Sequence, residues 1–264
     1  QGEGPQPSHG WSSTDLSQPG SVGPWLIGDF NVYATNDYLL PVPESWSDTY
    51  APGMVVASGR FRDGGWGGQG PSLIAYMPGE LDSESSSNVF LESLPLLLYA
   101  GTQDGETLST ELRMNGYHHS DEWSGAAWLE KGDQAAVVFD GTKGIGDCWY
   151  GFANGVIWPD EAPYPEVPEP PNDDRGWWST AFEGQLIFYD PNDFSAVALG
   201  EMAPYNPQPY AAFSVDPYLF NNHSAQQKYH LGDIAFDRKN GRLFVLEPLV
   251  DEDKPIIHVW TIAS

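Results

Sequence analysis

Short apolar runs alternate with turn-forming residues along most of the chain. From Trp25 onward the runs include WLIG, MVVAS, PSLIAYM, LPLLLY, AAVVF, QLIFY, RLFVL and IIHVW, and most of them are too short for helices. Short runs rich in β-branched and aromatic residues and bounded by Gly, Pro, Asn and Asp are typical of strands. The pattern therefore predicts an all-β fold.

Local signals predict particular turns and helices within this pattern. Hairpins are expected at GAAWL-EKGDQ-AAVVF and at DIAF-DRKNG-RLFVL, where Asn240 and Gly241 favour a tight turn. Short helices are expected at residues 44–48 and 192–199, because each segment is preceded by a proline, which suits a helix start. Residues 141–151, GTKGIGDCWYG, are glycine-rich but lack a phosphate-loop pattern, and we interpret them as a turn.

The first 22 residues differ from the rest of the chain. They are mostly Gly, Pro, Ser and Gln, so they can bury too little apolar surface to offset the entropy cost of ordering. We expect residues 1–22 to form a flexible arm and residues 23–264 to form a single domain. The acidic, proline-rich segment 159–174 is expected to be an extended insertion within that domain.

An internal repeat indicates which kind of all-β fold the chain forms. RDGGWGGQGPSLIAYMP resembles DDRGWWSTAFEGQLIFYDP, which aligns Trp66 with Trp178, and at the same spacing the Tyr-His pair at 117–118 recurs at 229–230. Repeated sheets with equivalent loops favour a β-propeller over a sandwich or a barrel. The spacing fits about five small blades, or part of a propeller that another segment or chain completes.

The charge and the motif content exclude several partners and chemistries. Asp and Glu number 37 against 11 Lys and Arg, which gives a net charge of −26. Such a surface repels phosphate backbones, so we expect no nucleic-acid partner. No apolar run approaches the ~20 residues of a membrane span, so we expect no membrane insertion. The single cysteine, Cys148, excludes an internal disulfide, and no zinc, nucleophile-elbow or dinucleotide motif is present.

Acidic residues, histidines, arginines and tryptophans are concentrated in the loops that the internal repeat aligns with one another. If these loops emerge on one face, they would line a polar pocket. In HHSDEW, the densest cluster, Asp121, Glu122 and His119 are candidate ligands for a divalent cation such as calcium. Other interpretations are that the tryptophans fill the core and that neighbouring Arg and Asp residues form ion pairs. The candidate ligand-binding residues are Arg62, Asp63, Trp66, His118, His119, Asp121, Glu122, Trp123, Asp174, Arg175, Trp178 and His230.

Four segments carry a resemblance to a group of known proteins. RFRDGGWGGQGP, HHSDEWSGAAWL, GDCWYGFANGV and RGWWSTAFEGQLIFYDP resemble runs in uncharacterised secreted bacterial β-propeller-like proteins, and the resemblance extends from about Trp25 to the C-terminus. It implies no activity. It does imply an extracellular, periplasmic or cell-surface location, and a chain that is the later portion of a longer propeller sequence. An upstream segment or a second chain would then complete the last sheet.

Three functions are consistent with these observations. The first is an extracytoplasmic binding module that holds a polar ligand, a glycan or a cation-bridged anion, on its loop face. The second is a glycoside hydrolase-like enzyme in which two of Asp63, Asp121, Glu122 and Asp174 act as a carboxylate pair. The third is a structural subunit of a surface assembly, in which the arm pairs with a neighbour's sheet edge.

Overall fold

The computed structural model describes residues 5–30, 32–35, 37–59, 68–79, 89–100, 111–222, 224 and 226–262. In this part of the chain the fold is all-β, as predicted, with two short α-helices. The helices are α1 (Glu44–Tyr50) and α2 (Pro191–Ala198), which confirms both helix predictions. The strands are β1 (His9–Ser12), β2 (Ser21–Ile27), β3 (Leu39–Pro41), β4 (Val56–Ser58), β5 (Leu73–Tyr76), β6 (Phe90–Leu91), β7 (Ser93–Leu97), β8 (Glu122–Lys131), β9 (Gln134–Gly151), β10 (Gly176–Tyr189), β11 (Ala211–Ser214), β12 (Ile234–Asp237), β13 (Arg242–Asp251) and β14 (Lys254–Thr261).

The strands form four sheets. Three of them are antiparallel and follow chain order, β3-β4-β5-β7, β8-β9-β10-β11 and β12-β13-β14, and the fourth has the order β1-β2-β6. Strands β3 and β12 both contact β8, so the first strands of the three antiparallel sheets lie together. Within the described residues these sheets do not close a ring. No helix in the described ranges is long and apolar enough to cross a membrane.

Both predicted hairpins are confirmed. Strands β8 and β9 are joined by a tight turn between the paired residues Lys131 and Gln134. Strands β12 and β13 are joined by a turn in which Gly241 has φ of 63°. Because φ in this region is unfavourable for side chains with a Cβ, the Asn-Gly signal identified the turn correctly.

The prediction of a turn at residues 141–151 is wrong. Strand β9 extends through this segment to Gly151, pairing with β10 along most of its length. Glycine is required by the close approach of the backbones: a Cβ at Gly141 would lie 2.0 Å from the carbonyl oxygen of Glu122. A Cβ at Gly144 would lie 2.2 Å from the Ser120 hydroxyl. The glycines therefore mark close packing within a strand.

The central part of the sheet β8-β9-β10-β11 is buried on both faces. In β9, Val137 and Phe139 join the core shared with the β3-β4-β5-β7 sheet and α2, whereas Val138 joins the core shared with the last sheet. Because successive side chains of a strand point to opposite faces, this alternation shows that one core lies on each side. Burial on both faces explains why AAVVF is a continuous apolar run.

Part of the segment predicted as an arm forms regular structure. Strand β1 pairs with β2 in an antiparallel hairpin, and β2 pairs in parallel with β6. The indole N–H of Trp11 also donates a hydrogen bond to the Gly79 carbonyl, 2.8 Å away. The hairpin thus lies against the first antiparallel sheet. Whether the domain begins at residue 23 stays a prediction.

Candidate functional site

The HHSDEW segment forms a turn that is held by the Asp121 carboxylate. Its Oδ1 accepts hydrogen bonds from Lys143 Nζ at 2.8 Å and from the Gly144 N–H at 2.9 Å. Its Oδ2 accepts from the His118 N–H at 2.9 Å. The side chain is fully buried, and burial raises the pKa of Asp121 against the opposing effect of Lys143. Asp121 therefore accepts hydrogen bonds from three donors within the protein, and in this arrangement its role is to stabilise the turn.

The two histidines of this turn have different environments. His119 stacks on Trp177, with ring centroids 4.3 Å apart, and contacts Tyr117 edge-on at 5.3 Å. His118 is half-buried, and its Nδ1 has no hydrogen-bond partner among the described residues. Burial lowers the pKa of His118, and the charge of Lys143 lowers it further. A neutral His118 is therefore favoured.

A continuous line of aromatic rings leads away from this turn. Trp177 contacts Tyr150 edge-on at 5.4 Å. The Arg175 guanidinium lies 5.9 Å from the ring centroid of Tyr150 and 4.5 Å from that of Trp158. Tyr164 in turn stacks on Trp158 at 4.9 Å, with 8° between the ring planes. We call His119, Trp177, Tyr150, Arg175, Trp158 and Tyr164 the aromatic strip.

Arg175 is the exposed cation of the aromatic strip. Its contacts are with ring faces, and no described residue accepts a hydrogen bond or forms an ion pair with its guanidinium. The neighbouring Asp174 is exposed and forms no ion pair with it in the described structure. The interpretation of Asp174 and Arg175 as a stiffening ion pair is therefore not supported. The rings hold the guanidinium in place while its N–H donors stay available.

Three other predicted site residues belong to the interior. Trp123 is 1% exposed and lies in the core, and Trp178 is buried beneath Lys228, whose Nζ is 4.4 Å from its ring centroid. His230 is 1% exposed, with Nδ1 2.8 Å from Asp216 Oδ1 and Nε2 2.9 Å from the Gln227 carbonyl. Buried indoles, and an imidazole whose two nitrogens are both hydrogen-bonded within the protein, cannot line an open pocket. The prediction that Trp123, Trp178 and His230 bind a ligand is therefore wrong.

The structure brings together only part of the predicted site. Glu122 begins β8 and pairs with Thr142, whose hydroxyl accepts a hydrogen bond from the His230 N–H at 2.9 Å. The two Tyr-His segments therefore do approach the same part of β9. Arg62, Asp63 and Trp66 lie outside the described residues.

Three aspartates that the sequence did not single out meet where three sheets approach one another. Asp140 lies in β9, Asp233 precedes β12 and Asp37 precedes β3. Asp140 is fully buried, and neither carboxylate oxygen has a partner in another described residue. Burial, followed by the charge of Asp233, raises its pKa well above the usual value. Burial also raises the pKa of Asp37 and of Asp233 to about 6. We call these residues the aspartate cluster.

A concavity in the described structure lies at the turn between β8 and β9. It is an open cleft of about 960 Å³ between α1, this turn and the start of α2, and we call it the hairpin cleft. Its size is suited to a small ligand. Its lining includes the acidic residues Glu130, Asp133 and Asp190 and the exposed ring of Tyr210.

No described group of three or more His, Cys, Asp and Glu side chains forms a ready metal site. The metal role of Asp121, Glu122 and His119 therefore stays a prediction, and Asp121 is already paired with Lys143. Comparison with protein-family models, with curated proteins and with solved structures finds no match for the chain.

Proposed function

We propose that the protein is an extracytoplasmic β-propeller binding module that holds a polar ligand, a glycan bearing a carboxylate, on the aromatic strip. The observation that carries this proposal is the Arg175 guanidinium, which rests on the rings of Trp158 and Tyr150 and has no described acceptor. A guanidinium binds a carboxylate with two parallel hydrogen bonds. Tyr164, 54% exposed at the end of the aromatic strip, adds a ring face on which a sugar can stack.

The arrangement of the sheets supports the propeller part of the proposal. Three antiparallel sheets follow chain order, and their first strands β3, β8 and β12 lie side by side. Blades of a propeller have this order, with the first strand nearest the central axis. The middle sheet is covered on both faces by its neighbours, as a blade within a ring would be.

The charge of the whole chain restricts the class of ligand. A net charge of −26 repels a densely charged polyanion, such as a heavily sulfated polysaccharide. A sugar chain with an isolated carboxylate meets much less repulsion and still gains the contact with Arg175. The hairpin cleft lacks this advantage, because Glu130, Asp133 and Asp190 make its lining acidic. We therefore place the ligand on the aromatic strip.

The other interpretations have weaker support. For a hydrolase, Asp121 is a poor candidate, because its carboxylate is fully buried and paired with Lys143. A cation-bridged anion would need the Asp121 carboxylate, whose oxygens already accept three hydrogen bonds. Direct recognition of a carboxylate by Arg175 needs no rearrangement.

Binding of oligosaccharides to the full chain tests the proposal. With a uronate-containing oligosaccharide, Arg175→Ala should weaken binding at least about tenfold, because a charge-assisted pair is lost. With the matching neutral oligosaccharide it should change little. Tyr164→Ala should weaken the binding of both, because the loss of stacking does not depend on charge. Isothermal titration calorimetry measures each affinity.

Matched controls make the outcome decisive. Arg238→Ala removes a cation that is already paired with Glu130 at 3.1 Å, and it should leave binding unchanged. Tyr210→Ala removes a tyrosine that is 62% exposed and lies at the hairpin cleft. If Tyr210→Ala abolishes binding while Arg175→Ala and Tyr164→Ala do not, the ligand occupies the cleft and the proposal is wrong. Failure of the parent protein to bind any oligosaccharide of either kind would also overturn it.

A further inference from the structure

The buried carboxylate of Asp140 has no described counterpart for its charge. Both of its oxygens are enclosed by protein, and no described Lys, Arg or His pairs with it. Its charged neighbours are Asp233 and, with a smaller effect, Asp37, which are also acidic. Taking an unpaired carboxylate out of water is costly, so such a group needs either a proton or a cation.

The carboxylates of Asp140 and Asp233 approach one another beside Gly125. The position that a Cβ of Gly125 would take is 2.3 Å from Asp140 Oδ1 and 2.7 Å from Asp233 Oδ1. The two oxygens can therefore be separated by no more than the sum of these distances. A side chain at residue 125 would enter the space between them. The glycine keeps the two carboxylates in reach of one another.

The aspartate cluster combines groups from three separate sheets. Asp233 also accepts a hydrogen bond from the Ile234 N–H at 2.8 Å, which fixes Oδ1 at the start of β12. Asp37 and Asp233 each keep part of the side chain exposed to solvent, while partial burial and, for Asp37, repulsion from Asp233 raise their pKa values. The cluster is thus closed at Asp140 and open to solvent at the other two, so a cation and its water ligands can enter from outside.

We propose that the carboxylates of Asp140 and Asp233 bind one calcium ion, with Asp37 adding negative charge from the outer side. The three aspartates do not form a ready set of three ligands in the described structure, so only Asp140 and Asp233 are direct ligands. The donors are oxygen only, which suits a hard cation and disfavours zinc. Calcium accepts six to eight oxygens in a flexible arrangement, so backbone carbonyls and water would complete the coordination around these two carboxylates. Magnesium demands a stricter octahedral set and gives up water reluctantly. The site is separate from the aromatic strip, and its occupation is independent of the proposed function.

Calcium titration of the full chain, first treated with a chelator, tests this site. We expect the parent protein to bind one calcium ion by calorimetry and to show a higher thermal midpoint in calcium than in magnesium. Asp140→Asn and Asp233→Asn should each weaken calcium binding at least about tenfold, because each removes an anionic ligand. Asp251→Asn, at the exposed turn between β13 and β14, should bind calcium as the parent does.

A second measurement separates loss of a ligand from loss of the fold. In chelator at neutral pH, Asp140→Asn should be at least as stable as the parent, because the native state no longer has to bury a carboxyl that must be either ionised without a counter-charge or protonated. It should be less stable than the parent only when calcium is present. Absence of calcium binding by the parent would overturn the proposal, and so would equal affinities of Asp140→Asn, Asp233→Asn and Asp251→Asn.

Discussion

The ion pair between Asp121 and Lys143 shows how a single buried charge is compensated in this fold. Lys143 is 12% exposed and Asp121 is fully buried, with 2.8 Å between Nζ and Oδ1. Lys143→Met should lower the free energy of unfolding by about 3–5 kcal/mol, because a buried carboxylate is left without its counter-charge. Urea unfolding followed by tryptophan fluorescence measures the change.

The exposed pair formed by Lys254 and Asp251 supplies the control. Its side chains are 67% and 72% exposed, with 3.3 Å between the charged atoms. Lys254→Met should change stability by less than about 1 kcal/mol, because solvent screens this pair. Similar losses from Lys143→Met and Lys254→Met would show that Asp121 does not depend on its partner.

Residues close together in the chain could be found from the sequence, and residues brought together by folding could not. HHSDEW was recognisable as a cluster because its acids and histidines are consecutive, and it does form one turn. Asp37, Asp140 and Asp233 lie in separate parts of the chain, and only the approach of β3, β9 and β12 unites them. The solvent exposure of individual side chains could not be predicted either, because nothing in the sequence distinguishes the buried Trp178 from the half-buried Trp177.

At the level of elements, the glycines of β9 are a structural requirement. The backbones of β8 and β9 approach so closely at Gly141 that a Cβ there would be 2.0 Å from the Glu122 carbonyl oxygen. Gly141→Ala should destabilise the protein by about 1–3 kcal/mol or more, because the obstacle is backbone and cannot rotate away. Gly20→Ala is the control, since nothing lies within 4 Å of its Cβ position. Thermal unfolding measures both effects, and equal decreases in the unfolding midpoint for Gly141→Ala and Gly20→Ala would contradict this explanation.

Elements with local signals were predictable, and those that depend on distant pairing were not. The Asn-Gly turn and the proline at the start of each helix are encoded within a few residues, and each element lies where the sequence predicts it. Strand β9 was underestimated because its second half is rich in glycine, which is unusual in strands. Pairing with β10 determines that this half is extended, and the sequence of residues 141–151 alone contains no sign of it.

At the level of the whole molecule, the last sheet has an apolar outer face. Ile257 and Val259 of β14 are 60% and 52% exposed, and the residues paired with them, Leu246 and Phe244, are also apolar and only partly buried. The corresponding sheet β8-β9-β10-β11 is covered on both sides. Another blade, from an upstream segment or a second chain, would cover this face in the proposed propeller.

Sedimentation velocity tests whether this outer face associates. We expect the chain to self-associate, and more strongly at high salt, because screening reduces repulsion between chains of net charge −26. Ile257→Lys and Val259→Lys should each reduce association, since a charge would be buried at the contact. Leu199→Lys changes an apolar residue that is 56% exposed after α2 and should have no effect. A monomer at every concentration would contradict this expectation.

The parallel pairing of β2 with β6 has a consequence for the order of folding. Leu26 donates a hydrogen bond to the Val89 carbonyl at 2.9 Å, although β3, β4 and β5 intervene along the chain. Closing so long a loop costs entropy before any contact repays it. We therefore expect the N-terminal hairpin to dock after its neighbouring sheet has formed, and we expect its amide hydrogens to exchange before those of the interior strands.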